Sequence, residues 1–168
     1  MTHRVEALRD AHVLDQFTCG KAPLDEWLKQ HARNATGQGT RTYVFVDTDD
    51  NSIVGYFAIA PHLLERDALP PQIGRGAPRQ IPAILLAKLA LDRRSHGAGL
   101  GRLLVVRALE KIVDAAKHAG GKLVVVDAID DEAAEFYERH DLARLPGNPH
   151  RLIMKMSTAA RALGITWP

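Results

Sequence analysis

The chain has 168 residues, 46% of them hydrophobic and 25% charged, with a formal net charge of +2, which is enough to bury a core and fits one domain of ordinary globular composition. The opening residues, "MTHRVEALRDAHVLDQF", carry acids and lack an apolar secretory core, and no run of about 18 apolar residues could cross a bilayer, so a cytoplasmic protein is expected. A single cysteine, Cys19, excludes an internal disulfide and a cysteine-rich metal site; packing near a helix start is its expected role, and no metal is expected.

Charge is unevenly distributed. Residues 1–65 hold six basic and nine acidic side chains, 66–107 eight and two, 108–142 four and nine, and 143–168 four and none. The two basic stretches include Arg66, Arg75, Arg79, Arg93, Arg94, Arg102, Arg144, Arg151 and Lys155. Such a set can line one face toward a polyanion, or form an ordinary solvated surface with acids nearby in space.

In chain order, "PLDEWLKQHA" sets Leu24, Trp27, Leu28 and His31 at helical spacing behind Pro23, which suits a first turn. "RTYVFVDTDDNSIVGYFAIA" reads as two β-rich runs around the turn-forming "DTDDNS", an antiparallel hairpin near the middle of a sheet. Residues 61–82 carry Pro61, Pro70, Pro71, Pro78 and Pro82 with Gly74 and Gly76; they are expected to form a loop, mobile and facing the substrate. "AILLAKLALD" reads as a buried strand. Leu100, Leu103, Leu104, Leu109, Ile112, Val113 and Ala116 then recur at helical spacing until Gly120 and Gly121 end the helix. "KLVVVDAI" is a second buried strand, "DDEAAEFYERHD" a short helix with acids in its first turn, and "HRLIMKM" a final strand. From about residue 157 a loosely attached tail is expected. The whole is a mixed α/β (α+β) chain with a single domain over residues 1–168.

Between the first buried strand and the long helix stands "DRRSHGAGLGRLL", with Gly97, Gly99 and Gly101 at alternate positions. Backbone amides around such glycines, followed by a helix start, favour a phosphate-like anion. A nucleotide triphosphatase loop needs Lys and then Ser or Thr after the last glycine, where Arg102 and Leu103 stand. A dinucleotide fold needs a different glycine interval, although Asp127 mimics its ribose-binding acid. Glycines that merely end a strand and admit a helix are a third possibility.

"RSHGAG", Arg94 to Gly99, resembles the Arg/Gln-x-x-Gly-x-Gly/Ala signature of the GNAT N-acetyltransferases. The strand before it, the helix after it, and the later "EFYER" strengthen the likeness. The resemblance implies a central, mostly antiparallel twisted sheet splayed between strands four and five, with helices on both faces. It also implies acetyl-coenzyme A as co-substrate, its pyrophosphate held at the loop and helix start. "DQFTCGKAPLDEWLKQHA", "GTRTYVFVD", "VGYFAIAPH", "IPAILLAKLALDRRSHGAGLGRLLV" and "AAEFYERH", spread over about residues 15 to 156, further resemble the GNAT toxins of bacterial toxin–antitoxin modules. That branch implies acetylation of the α-amine of aminoacyl-tRNA, a ribbon-helix-helix antitoxin as partner, and a homodimer. Where those relatives usually have Phe-Gly-Phe, this chain has "HDLARLP", with Asp141 and Leu142 in place of Gly and Phe, which bears on the shape of that turn.

By the same resemblance, amides near His96, Gly97, Ala98, Gly99, Leu100 and Gly101 hold the pyrophosphate, with Arg94 or Arg102 adding charge. The backbone of Leu89, Ala90 and Leu91 pairs with the pantetheine, and an N–H there polarises the acetyl carbonyl. Tyr137 protonates the departing thiolate; packing is the competing role for it. Tyr43 and Tyr56 are expected to pack or to line the substrate channel. His62 and His96 are the histidines to weigh as a general base, although a free α-amine, with a pKa of about 7.7–8.0, needs little help to be neutral. Arg75, Arg79, Arg93, Arg144 and Arg151 are candidates for contacts to the acceptor stem. Two other functions stay open: a GNAT enzyme acting on a small amine, an antibiotic or a protein amine, and a non-catalytic nucleic-acid-binding module that senses coenzyme A.

Overall fold

The computed structural model describes residues 2–168. Strands β1 (His3–Ala7), β2 (Arg41–Asp47), β3 (Ile53–Glu65), β4 (Gln80–Leu91), β5 (Leu123–Asp127), β6 (Ala143–Leu145) and β7 (Asn148–Lys155) form one sheet in the order β1-β2-β3-β4-β5-β7-β6. The hairpin β2–β3 is interior, as its fully buried Val44, Phe45, Tyr56 and Phe57 require. The parallel pairing of β4 with β5 covers Ala83–Leu86 against Leu123–Val126; β1–β2, β2–β3, β5–β7 and β6–β7 pair antiparallel. Beyond Leu86, β4 runs on through Leu91, past the end of β5 at Asp127.

By contacts the chain divides into two compact units. The first comprises the chain up to Ala60 together with Ala87–Ala108. Its core joins Leu14, Phe17, Leu28, Ala32, Val44, Val46 and Tyr56. The expected first helix is a composite: α1 (Ala22–Glu26), one π-helical turn (Trp27–His31), and α2 (Ala32–Thr36). In the π turn the Ala32 N–H reaches back to the Trp27 carbonyl, and the wider turn leaves Leu28 and Ala32 both fully buried. Trp27 lies parallel to Tyr56 at 6.0 Å, and the Tyr56 hydroxyl donates to the Leu24 carbonyl at 2.7 Å. Tyr56 is thus a packing residue, and Tyr43 stacks on Phe57 at 5.2 Å. Gly55 admits a close approach: a Cβ there would stand 3.1 Å from Leu104 and 3.2 Å from the Ala90 carbonyl.

The second unit comprises Pro61–Leu86 and Leu109–Pro168, with Leu64, Leu69, Ile81, Leu123, Val125, Leu145 and Ile153 in its core. The proline-rich segment is more ordered than expected. β3 continues through Pro61 to Glu65 and β4 begins at Gln80, with the Arg66 N–H on the Arg79 carbonyl at 2.9 Å. Pro61 and Pro82 are exposed, and Pro71 opens α3 (Pro71–Gly74), so these prolines occupy positions that need no N–H. Short β6 was not legible in the sequence. The segment expected to be a loose tail instead begins as α6 (Met156–Ala162), which buries Met156, Ala159 and Ala160 at helical spacing. The long helix α4 (Leu100–Ala119) spans residues of both units and carries the apolar face its spacing implied.

Candidate active site

The first unit builds the glycine loop onto the end of β4. Asp92, the residue after the strand, is completely buried. Its own N–H donates to the Val54 carbonyl at 2.8 Å, and its carboxylate accepts from the Thr18 N–H at 3.1 Å and the Arg94 N–H at 3.0 Å. Arg94 adds a charged donor, with Nε 2.9 Å from Oδ1. Burial raises the affinity of this carboxyl for a proton, but the hydrogen bonds from Arg94 and Thr18 outweigh it and hold the group below its ordinary value. Asp92 therefore caps the turn Arg93–Ser95. This residue was missed in the sequence; its signal was an aspartate immediately after an apolar run and two residues before a backbone donor.

From there the chain is drawn tight. Arg93 N–H donates to the Thr18 carbonyl at 2.8 Å, and the aliphatic part of Arg93 lies beside Gly20. His96 Nε2 stands 2.8 Å from the Leu91 carbonyl; a carbonyl only accepts, so this nitrogen carries the ring proton. Gly97 and Gly99 hold φ of 81° and 76°, a region that penalises any Cβ, and nothing lies within 4 Å of where a Cβ would be at either. The cradle is thus open on its outer side. Gly97, Ala98 and Gly99 are exposed, and Leu100 and Gly101 begin α4, whose first N–H groups have no intrahelical acceptor. Arg102 is exposed. Arg94 is largely exposed but already committed to Asp92.

Upstream, Leu89 and Leu91 are half-buried and Ala90 is buried. They belong to the part of β4 without a β5 partner, and the Leu91 carbonyl is taken by His96. Lys88 places its ammonium 5.6 Å from the Trp27 ring. Cys19 is buried, and burial together with the Asp25 carboxylate pushes its thiol up to about 11, which suits packing and not nucleophilic attack.

The second unit carries Tyr137 on α5 (Asp131–Glu138), a helix capped by Asp130 through the Ala133 N–H at 2.8 Å. Tyr137 is 5% exposed, and burial raises its phenol well above the ordinary value, so the hydroxyl keeps its proton. Its carbonyl accepts from His140 and Leu142 in the turn that follows. There Asp141 adopts φ of 69°, so aspartate takes up the left-handed backbone in the turn where the GNAT pattern usually has glycine.

The five arginines expected at the acceptor stem divide. Arg75, Arg79 and Arg93 are exposed. Arg144 binds Asp131 at 2.7 Å and Glu138 at 2.9 Å, and so braces α5. Arg151 binds Asp127 and His62. Among the described residues no cluster of His, Cys, Asp and Glu could hold a metal, and no helix is long and apolar enough to cross a membrane.

No family model matches the chain. The chain is 34% identical over 158 residues to a tRNA-acetylating toxin of Mycobacterium tuberculosis, covering 94% of each. It is 27% identical to a probable toxin TacT of Sinorhizobium fredii, covering 88% of this chain and 87% of that one. Among solved structures, a tyrosine-to-phenylalanine variant of KacT superposes with a TM-score of 0.88 at 27% identity, covering 96% of this chain and 99% of that one. AtaT complexed with acetyl-methionyl-tRNAfMet superposes at 0.85, with 27% identity and the same coverage. A further AtaT variant, bound to the C-terminus of the antitoxin AtaR and acetyl-CoA, superposes at 0.80 with 25% identity, covering 95% and 97%.

Proposed function

Because the chain belongs to the tRNA-acetylating toxins of the GNAT superfamily, we propose that it transfers the acetyl group of acetyl-coenzyme A to the α-amine of the amino acid on charged tRNA, and so blocks translation. The observation that carries this is the 34% identity over nearly the whole of both chains. The open cradle at Gly97 and Gly99 and the unpartnered edge of β4 fit the co-substrate, as phosphate-binding amides and as a strand edge.

When bound, acetyl-coenzyme A supplies a thioester carbon open to attack by an amine. Amides of His96 to Gly101 hold the pyrophosphate at the positive end of α4, with Arg94 or Arg102 adding charge. The backbone of Leu89, Ala90 and Leu91 aligns the pantetheine, and an N–H of that edge supports the carbonyl oxygen as charge develops on it. A C–N bond forms as the C–S bond breaks; water takes the ammonium proton, and Tyr137 gives its phenolic proton to the sulfur. Burial keeps the phenol protonated in the resting protein; the same shift makes it the weaker acid, so it gives up the proton only as negative charge builds on the sulfur. Arg75, Arg79 and Arg93 contact the acceptor stem. The protein acts in the cytoplasm, as a homodimer, and is neutralised by a ribbon-helix-helix antitoxin. AtaT bound to AtaR supports an antitoxin partner.

Incubation with labelled acetyl-coenzyme A and total charged tRNA, followed by mass spectrometry of the aminoacyl ends, tests the assignment. An N-acetyl group on the amino acid of at least one tRNA is expected. Labelling of free amines or protein lysines with none on any charged tRNA would give the protein a different acceptor.

A further inference from the structure

Arg151 on β7 divides its guanidinium between two partners. Nε lies 2.7 Å from Asp127 Oδ1 and Nη2 2.9 Å from Oδ2, a two-point fork. Nη1 lies 3.1 Å from Nε2 of His62 on β3. A guanidinium has donors only, so His62 Nε2 is the acceptor, and the proton of the neutral ring sits on Nδ1. Asp127 and Arg151 are direct partners in the β5–β7 pairing, which fixes the first link through the backbone. Burial, and then the Arg151 charge, hold the imidazole below its ordinary value against the pull of Asp127, so the ring is neutral at physiological pH. His62 and His96 are therefore held in opposite tautomers, Nδ1–H and Nε2–H.

The three residues continue an apolar face. Leu64, Leu123, Val125 and Ile153 pack in the core of the second unit. His62, Asp127 and Arg151 are the next positions on the same face of their strands, two residues along in each case. Asp127 directly follows Val126, the last β5 residue paired to β4, and α5 with Tyr137 begins a few residues later. Arg151 also lines an open groove of about 690 Å³ with Leu63, Leu145, Pro146 and Asn148. Half-buried ion pairs contribute little net stability once both charges have lost water. What this one does is hold a ring in one tautomer.

Acetylation of an α-amine needs little from a base, but it does need the ester end of the acceptor held while the amine attacks. A base at His62 is excluded while Arg151 occupies its lone pair. We propose that His62, held by Arg151 and Asp127, is a positioning residue that donates its Nδ1–H to an oxygen of the aminoacyl-adenosine end of charged tRNA. This rests on the aminoacyl-tRNA reading above.

Two amide substitutions separate the ring nitrogens. Asparagine places its NH2 near ring Nδ1, whereas glutamine places its NH2 near ring Nε2. His62→Asn is expected to keep the KM for charged tRNA within about threefold of wild type, whereas His62→Gln and His62→Ala raise it about tenfold, the size of one hydrogen bond. The KM for acetyl-coenzyme A should stay unchanged in all three. Histidine-selective 15N spectra of the whole protein should show one neutral ring protonated on Nδ1 that loses this state in Arg151→Met. Asn, Gln and Ala variants that behave alike, or a His62 ring protonated on Nε2, would overturn the proposal while wild type still labels tRNA. A wild-type protein that labels no charged tRNA overturns the substrate reading itself, and the proposal with it.

Discussion

Arg94 turns back onto Asp92, its Nε 2.9 Å from Oδ1 of a carboxylate that is completely buried. The arginine of the "RSHGAG" signature thus first organises the loop, and any contact with a phosphate uses what the aspartate leaves free. Asp92→Ala strips the acceptor from the N–H groups of Thr18 and Arg94 and should cost about 2 kcal/mol, read by urea unfolding, with weaker acetyl-coenzyme A binding by calorimetry. The carboxyl is held below its ordinary value, so its contribution is fully present above about pH 4 and is lost as pH falls through the folded-state value. Acid titration of wild type against Asp92→Ala should show that difference vanish at low pH.

Tyr137→Phe preserves the buried ring and removes one proton. The expected outcome is a fall in kcat of about 10²-fold or more, with acetyl-coenzyme A affinity unchanged and the melting temperature close to wild type. A variant with full activity would leave Tyr137 a packing residue.

At Gly97 and Gly99 a Cβ meets open space, so the penalty for alanine is in the backbone. Each substitution should cost about 1 kcal/mol of stability. The loss of acetyl-coenzyme A affinity should be larger in proportion, because the left-handed residues aim the amides. Urea unfolding and ligand titration on the same samples check the ratio.

The arginines should separate by their partners. Arg75→Glu with Arg79→Glu should raise the KM for charged tRNA and flatten its salt dependence, leaving unfolding unchanged. Arg144→Ala releases Asp131 and Glu138 and should instead lower stability slightly, because the pairs reach solvent, read by urea unfolding.

Asp141 occupies left-handed backbone. Asp141→Gly should gain about 0.5 kcal/mol, the relief of strain exceeding the added freedom of the unfolded chain, with KM for both substrates unchanged. Thermal unfolding and steady-state assays check it.

The strands and helices from β4 to α5 were legible because their signals are local. A run such as "AILLAKLAL" is apolar enough to mark a largely covered strand, and the α4 apolar positions recur at the helical period regardless of what they pack on. The loop glycines were legible for the same reason, since a backbone preference belongs to the residue itself. Other features were not. β3 runs through Pro61 because that position is exposed and needs no donor, β6 is three residues long, and α6 forms because Met156, Ala159 and Ala160 find a core to enter.

By itself the sequence determined the succession β4, glycine loop, α4, β5 and α5, the helix bearing Tyr137, and the list of basic residues. Only the tertiary structure decided which of those charges are committed. Arg94, Arg144 and Arg151 lie on Asp92, on Asp131 with Glu138, and on Asp127, whereas Arg75, Arg79 and Arg93 remain exposed. Side-chain charges act over a few ångströms of space, and Asp127 and Arg151 meet only because β5 and β7 pair across 24 positions of chain. Composition records how many charges there are; the sheet decides which carboxylate each arginine meets.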